Sequence, residues 1–238
     1  MRVFSLLALS ALLLLVSGPP RADVYSAACY LEKNPDRTIQ FCTRALRFEK
    51  LDRKEYAITL YNRGQAWMQK QAYDRAISDF SGVIRIDPKD VNAYYSRGNA
   101  WFDKADYDRA IADFNRAIRL NPKSAELFNS RGVARLRKKD YDRAITDYNE
   151  ALRRDPSHVE ALNNRGIAWF DIKEYDKAIS DHSAVIRIDP KNALAFRNRG
   201  NAWYAKGEYD KAVADYDAAI RIDPDIPRPS LLLHIHSK

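Results

Sequence analysis

Residues 91–124 read VNAYYSRGNAWFDKADYDRAIADFNRAIRLNPKS, and this stretch decides the fold. Val91, Tyr94, Gly98 and Trp101 recur at intervals of three and four, so a helix brings them to one face. The polar residues 104–106 break that pattern. Asp108 then stands in the first turn of a second helix, where the macrodipole favours an acid. Ala110, Ile111, Phe114, Ala117 and Ile118 form its apolar stripe. Pro122 ends it, because proline has no amide proton and disfavours helix in the residue before it. The stretch predicts two antiparallel helices joined by a short turn.

Most of the chain repeats this stretch. Glycines at 64, 98, 132, 166 and 200 stand 34 residues apart, as do prolines at 88, 122, 156, 190 and 224. Tyrosines at 73, 107, 141, 175 and 209 keep the same spacing, each followed by Asp, Arg or Lys, then Ala. A period of this length predicts a solenoid or similar array. The glycines, with Ala76, Ala110, Ala144, Ala178 and Ala212, let paired helices approach. Trp67, Trp101, Trp169 and Trp203, with Phe80, Phe114, Tyr148 and Tyr216, fill the space left over. Much of that burial falls between copies, so no single hairpin is expected to fold alone.

Composition agrees. Of 238 residues, 46% are hydrophobic, enough to bury a core and exclude a disordered chain. Mean hydropathy is −0.54 and a single long apolar run occurs, which excludes a polytopic membrane protein. Two Cys and four His leave no room for a multi-metal or disulfide-dense scaffold.

The repeated pattern G-x-x-W…Y-D-R-A-I…D-F…A-I-R-L-N-P resembles the tetratricopeptide repeat (TPR). The resemblance covers residues 57–226 as five units: 57–90, 91–124, 125–158, 159–192 and 193–226. It implies an all-α fold, an α-α superhelix (TPR solenoid) of five antiparallel helical hairpins. Two features depart from the family pattern. Arg63, Arg97, Arg131, Arg165 and Arg199 stand where it usually has Leu, and the large residues of the first helix exchange places. Asp79, Asp113, Asp147, Asp181 and Asp215 recur as strictly as the arginines. The expectation is that these arginines reach the aspartates across each hairpin as an ion-pair ladder. Within the second helix, pairs such as Arg75–Asp79, Arg109–Asp113 and Lys177–Asp181 are also spaced to interact.

The third unit breaks the rule. Arg135 replaces Trp and Arg154 replaces Ile or Leu. With Arg131, Arg137, Lys138, Lys139 and Arg153 they make an anion-facing patch or a solvated helix end, and the unit is expected to be the weakest link.

The ends differ from the middle. Residues 1–22, MRVFSLLALSALLLLVSGPPRA, have a positive start, an apolar run and a Ser-Gly-Pro-Pro break, the layout of a secretory signal peptide. Cleavage is expected after Ala22, with Ala28 (and lipidation of Cys29) the other site; an uncleaved anchor is the other reading. Loss of Arg2 and Arg21 lowers the net charge from +8 to +6. No transmembrane span remains after cleavage. Residues 23–56 echo the second-helix pattern and are expected to form a degenerate capping hairpin, with helices near 24–33 and 36–49. Cys29 and Cys42 flank its turn nearly symmetrically. In an oxidising compartment they are expected to form a disulfide, contributing about 3 kcal/mol by loop entropy; two buried thiols are the alternative. The tail 227–238 carries His234-x-His236, too few ligands for a metal site. His182 replaces an aromatic on a core stripe.

No phosphate loop, catalytic triad or metal-ligand spacing occurs, so the chain reads as a non-enzyme with no cofactor and no metal. The resemblance implies a concave groove lined by first helices that holds a peptide or helix of a partner protein. Carried over, that groove contains Tyr61, Asn62, Gln65, Tyr95, Asn99, Phe102, Asn129, Asn163, Asn164, Arg197, Asn198, Asn201 and Tyr204. Met68 and Phe170 adjoin them. Glu126, Glu160, Ser130 and Asn164 stand where the family's clamp for acidic C-terminal tails has Lys and Arg, so no such clamp is expected. The function expected is a protein–protein interaction scaffold or adaptor of the cell envelope, exported to the periplasm or secreted. The alternatives are a component of an envelope assembly or secretion complex, and a basic binder of anionic envelope surfaces. Export disfavours nucleic acid as a partner.

Overall fold

A computed structural model describes residues 24–226. The described residues form twelve α-helices and no strand. They are α1 (Val24–Leu31), α2 (Pro35–Phe48), α3 (Arg53–Gln69), α4 (Tyr73–Ile86), α5 (Val91–Asp103) and α6 (Tyr107–Leu120). There follow α7 (Ala125–Arg137), α8 (Tyr141–Arg154), α9 (Val159–Asp171), α10 (Tyr175–Ile188), α11 (Ala193–Ala205) and α12 (Tyr209–Ile222). The signal-peptide reading of residues 1–22 and the tail with His234 and His236 lie outside the described residues. None of the described helices is long and apolar enough to cross a membrane. The chain divides into two compact units between Ala100 and Trp101.

In the first unit, Asn34 caps α2 by accepting from the backbone N–H groups of Asp36 and Arg37, and Pro35 takes the first helical position. Asp52 and Glu55 make a reciprocal capping box at the start of α3. Glu49, just past α2, accepts from the backbone N–H groups of Tyr25 and Ser26 at 2.6 and 3.1 Å. That contact caps α1 with a charge it does not itself possess. Cys29 and Cys42 are joined as a disulfide, both sulfurs buried between α1 and α2. Leu60, Val83 and Ala93 form the core from which α3, α4 and α5 grow, with Leu46 and Ile84 against them.

In the second unit, the apolar clusters cross from hairpin to hairpin. Ile145 and Tyr148 of α8 pack with Ala168 and Trp169 of α9. Ile179 of α10 packs with Ala202 and Trp203 of α11. The repeat glycines explain how closely each pair fits: a Cβ on Gly132 would lie 2.6 Å from Tyr148 Cε1, and one on Gly200 2.8 Å from Tyr216 Cε1. An alanine at either place must push the ring away.

The arginine column has a defined role. Arg63 Nε and Nη2 donate to Asp79 at 2.8 and 2.7 Å, and Arg165 and Arg199 grip Asp181 and Asp215 with the same two distances. Arg131 grips Asp147 likewise. Each aspartate is buried, and the bidentate geometry satisfies both its oxygens. The remaining Nη1 reaches back to the previous hairpin: Arg63 to Thr43, Arg97 to Ser81, Arg131 to Asn115, Arg165 to Asn149 and Arg199 to Ser183, at 2.6–3.2 Å. One guanidinium thus ties two helices of its own hairpin and one of the hairpin before.

The expected pairs inside the second helix do not form at Asp79, Asp181 and Asp215, whose oxygens are taken by these arginines. Arg75, Arg109, Lys177 and Lys211 instead lie 4.4–4.6 Å from the ring centroids of Trp67, Trp101, Trp169 and Trp203.

The third hairpin (α7 and α8) corrects a second expectation. Arg135 Nη1 donates to Asp147 at 2.8 Å, so that carboxylate holds two guanidinium groups. Arg154 lies 3.9 Å from the Phe128 ring centroid and donates to the backbone oxygens of Pro122 and Glu150. Both side chains are mostly covered and internally satisfied, so neither contributes to an anion-facing patch.

Candidate functional site

The residues carried over from the family's groove fall into two groups, one in each unit. In the first unit, Tyr61 Oη and Ser96 Oγ lie 3.1 Å apart, and Gln65 Nε2 donates to both, at 2.8 and 3.2 Å. Asn62 and Asn99 are half-buried on the same helices, as is Tyr95. Tyr61 also lines an open cleft of about 520 Å³ with Arg53, Ile58, Val83 and Ile86. In this unit the side chains of Tyr61, Gln65 and Ser96 are bonded to one another.

The second unit carries the amides whose carbonyl oxygens are engaged. Asn129, only 6% exposed, accepts from Asn164 Nδ2 at 3.1 Å. Asn163 Oδ1 lies 3.1 Å from His182 Nδ1, and Asn201 Oδ1 accepts from Tyr216 Oη at 2.9 Å. Burial, aided by the nearby Arg199, pushes His182 down to about 4. The neutral ring therefore carries its proton on Nδ1 and donates it to Asn163. In all three asparagines the carbonyl oxygen is consumed from within. An amide so held turns its Nδ2 protons away from the internal partner, and these Nδ2 groups carry no hydrogen bond among the described residues.

Arg197 stands one repeat after Asn163 and is likewise a donor; its contact to Asn198 Oδ1 is long at 3.5 Å. Phe102 and Tyr204 are not isolated apolar patches. Phe102 meets the ring of Tyr107 at 5.3 Å and Tyr204 that of Tyr209 at 5.1 Å. Phe170 and Tyr175 form the same pair at 5.5 Å.

Two features escaped the sequence reading. His158 caps α9, and its ring nitrogens lie 3.4 Å from Glu126 and 3.2 Å from Glu160. The cap position before a repeated helix was its only signal. Tyr148, fully buried, has a hydroxyl with no partner among the described residues. Its ring crosses α7 at Gly132 as Tyr216 crosses α11 at Gly200, but Val133 stands where Asn201 accepts. Among the described residues no group of three metal-binding side chains occurs.

Comparison with known proteins places this geometry. Tetratricopeptide-repeat models match residues 95–152, 129–193 and 193–226, and a further TPR-repeat model matches 64–105. No curated protein matches the sequence. A crystal structure of MamA is 25% identical, with a TM-score of 0.64, covering 68% of this chain and 94% of that one. A crystal structure of YrrB, described as a TPR protein with an unusual peptide-binding site, is 27% identical, with a TM-score of 0.63. It covers 83% of this chain and 98% of its own. MamA 41-end from Desulfovibrio magneticus RS-1 shares the fold at 19% identity and a TM-score of 0.66, over 72% and 97% of the two chains. Family models running without a break from residue 64 to 226, and solenoid neighbours over most of the chain, agree with the helix pairs: the chain belongs to the tetratricopeptide-repeat family.

Proposed function

We propose that this protein is a non-catalytic interaction scaffold whose first helices receive an extended peptide or a helix of a partner protein. The observation that carries the reading is the set of three asparagines, Asn129, Asn163 and Asn201. Their carbonyls are held internally and their amide donors are left unspent. Fixed donors suit the carbonyl oxygens of a bound backbone, because little side-chain entropy is lost on binding. The peptide-binding description of YrrB points the same way. In the first unit, Tyr61, Asn62, Gln65, Tyr95 and Asn99 are proposed as contacts of that unit by itself. Phe102, Asn164, Arg197, Asn198 and Tyr204 belong to the proposal in the second unit.

The proposed setting is the cell envelope or the exterior, reached by the signal peptide. The apolar run at residues 3–16 and the Cys29–Cys42 bridge support it. Within that setting a protein partner is favoured over an anionic surface, because Arg135 and Arg154 are occupied by the protein itself.

Affinity capture from envelope extract tests the reading. The Asn163→Ala/Asn201→Ala variant is expected to lose a partner that the unaltered chain retains. Identical capture by both would overturn the groove assignment.

A further inference from the structure

Two first helices end on an aspartate. Asp103 is the last residue of α5 and Asp171 the last of α9, in the identical tripeptide Trp-Phe-Asp repeated 68 residues apart. A carboxylate there is unfavourable in isolation, because it adds negative charge to the negative end of the helix dipole. Neither helix carries a basic residue in its last turn. Neither carboxylate has a hydrogen bond or ion pair among the described residues, although nearly every other recurring acid of the second unit has one. Partial burial raises both above the usual carboxylate value, and Lys139 offsets part of this at Asp171. The other hairpins have Gln69, Arg137 and Ala205 at this place, so the repeat architecture does not require an acid.

The surroundings are those of the repeat turn, with its positive-φ residue and, as at Tyr204 and Tyr209, a pair of aromatic rings. The residue before each aspartate, Phe102 or Phe170, meets the tyrosine that opens the next helix, Tyr107 or Tyr175, with rings tilted by 58° and 54°. The turn between them is held by a residue of positive φ, Ala105 at 60° and Lys173 at 64°. An aromatic face, a helix C-terminus and a carboxylate each attract a cation, and the sequence puts all three at one turn, with both aspartates exposed to an incoming group. Lys104 and Lys173 stand in the same two turns, and Lys139 lies near Asp171, so a docking cation joins a mixed rather than a purely negative surface.

We infer that the turns at Asp103 and Asp171 each take the guanidinium or ammonium group of a basic segment of a partner protein. The two sites are two repeats apart and engage two basic side chains of one extended segment. The inference rests on the reading of the first helices as a docking surface, and it names the charge of what docks there.

The test is binding of a fluorescent oligoarginine peptide to the whole chain, with oligoglutamate as the comparison. Oligoarginine is expected to bind, salt-sensitively, and Asp103→Asn/Asp171→Asn to weaken it roughly tenfold or more. The same variant is expected to keep the helical circular-dichroism signal and an undiminished melting temperature, since it removes unpaired charge from helix ends. Unchanged oligoarginine binding by the variant, or equal binding of oligoglutamate, overturns the inference. Asn163→Ala/Asn201→Ala is measured in parallel. If only the asparagine variant loses the peptide, the amide wall stands and the basic-segment assignment falls. If only the aspartate variant loses it, the assignment stands and the amide wall falls.

Discussion

At the scale of single residues, two buried groups make measurable claims. The Tyr148 hydroxyl is sealed from water without an acceptor, and burial pushes its pKa far above the ordinary phenol value. An unsatisfied buried hydroxyl costs about 1–3 kcal/mol. Tyr148→Phe is therefore expected to be neutral or stabilising in chemical denaturation, whereas Tyr216→Phe, which breaks the bond to Asn201, is expected to cost about 1 kcal/mol. Val133→Asn restores the missing acceptor and is expected to stabilise only while Tyr148 is present. His182 makes a pH claim. Its folded pKa is about 4, while an unfolded histidine titrates near 6.5. Between these values the unfolded chain binds a proton that the folded chain refuses, so stability falls as pH drops from about 6.5 towards 4. Comparing denaturation at about pH 7 and about pH 4.5, His182→Phe should lack roughly 1–3 kcal/mol of that loss. The sequence placed His182 in the core by its repeat position, but its bond to Asn163 was not legible, because the two lie on different columns of the repeat.

At the scale of the element, the ladder decides whether hairpins hold together. Asp181 is 5% exposed, and its two oxygens are met by Arg165. Arg165→Leu, which restores the residue usual in the family, strands that carboxylate and should destabilise by about 3–5 kcal/mol. Arg165→Leu/Asp181→Leu removes both charges and should be clearly more stable than the single variant, as read from thermal or urea unfolding. A double variant no better than the single one would show that packing, not the stranded charge, sets the cost. Helix ends and the hairpin period were legible because proline, the acid of the first turn and the small-residue column each act locally. Pairing of the two charge columns was also legible, since both recur at one interval. The third arm of each guanidinium was not: Thr43, Ser81, Asn115, Asn149 and Ser183 are polar residues of different kinds, and no composition rule marks them as one set. The basic third hairpin misled for a related reason, because charge in a sequence does not say whether a partner lies inside the fold. The paired aromatic rings at the turns were missed because the five-residue interval between Phe102 and Tyr107 belongs to no single helix.

At the scale of the whole molecule, composition and repetition sufficed for the fold class, and the candidate groove came only by carrying family positions onto this chain. Of the amides so carried over, Asn163 and Asn201 are held by His182 and Tyr216, which such a transfer does not consider, and Asn129 by Asn164, which it does. The capping hairpin holds both cysteines of the chain. Intact mass is expected to rise by about 2 Da on reduction, and the oxidised form to melt higher, in line with about 3 kcal/mol from closing the loop. An unchanged mass would mean free thiols. The backward reach of each ladder arginine gives the chain a direction. A hairpin supplies its own donor but borrows the acceptor from its predecessor, so every segment finds its anchor already made when the amino end emerges first. Shortening from the carboxyl end leaves all remaining anchors intact, whereas shortening from the amino end takes the acceptor from the next Nη1 and leaves that guanidinium only its own aspartate.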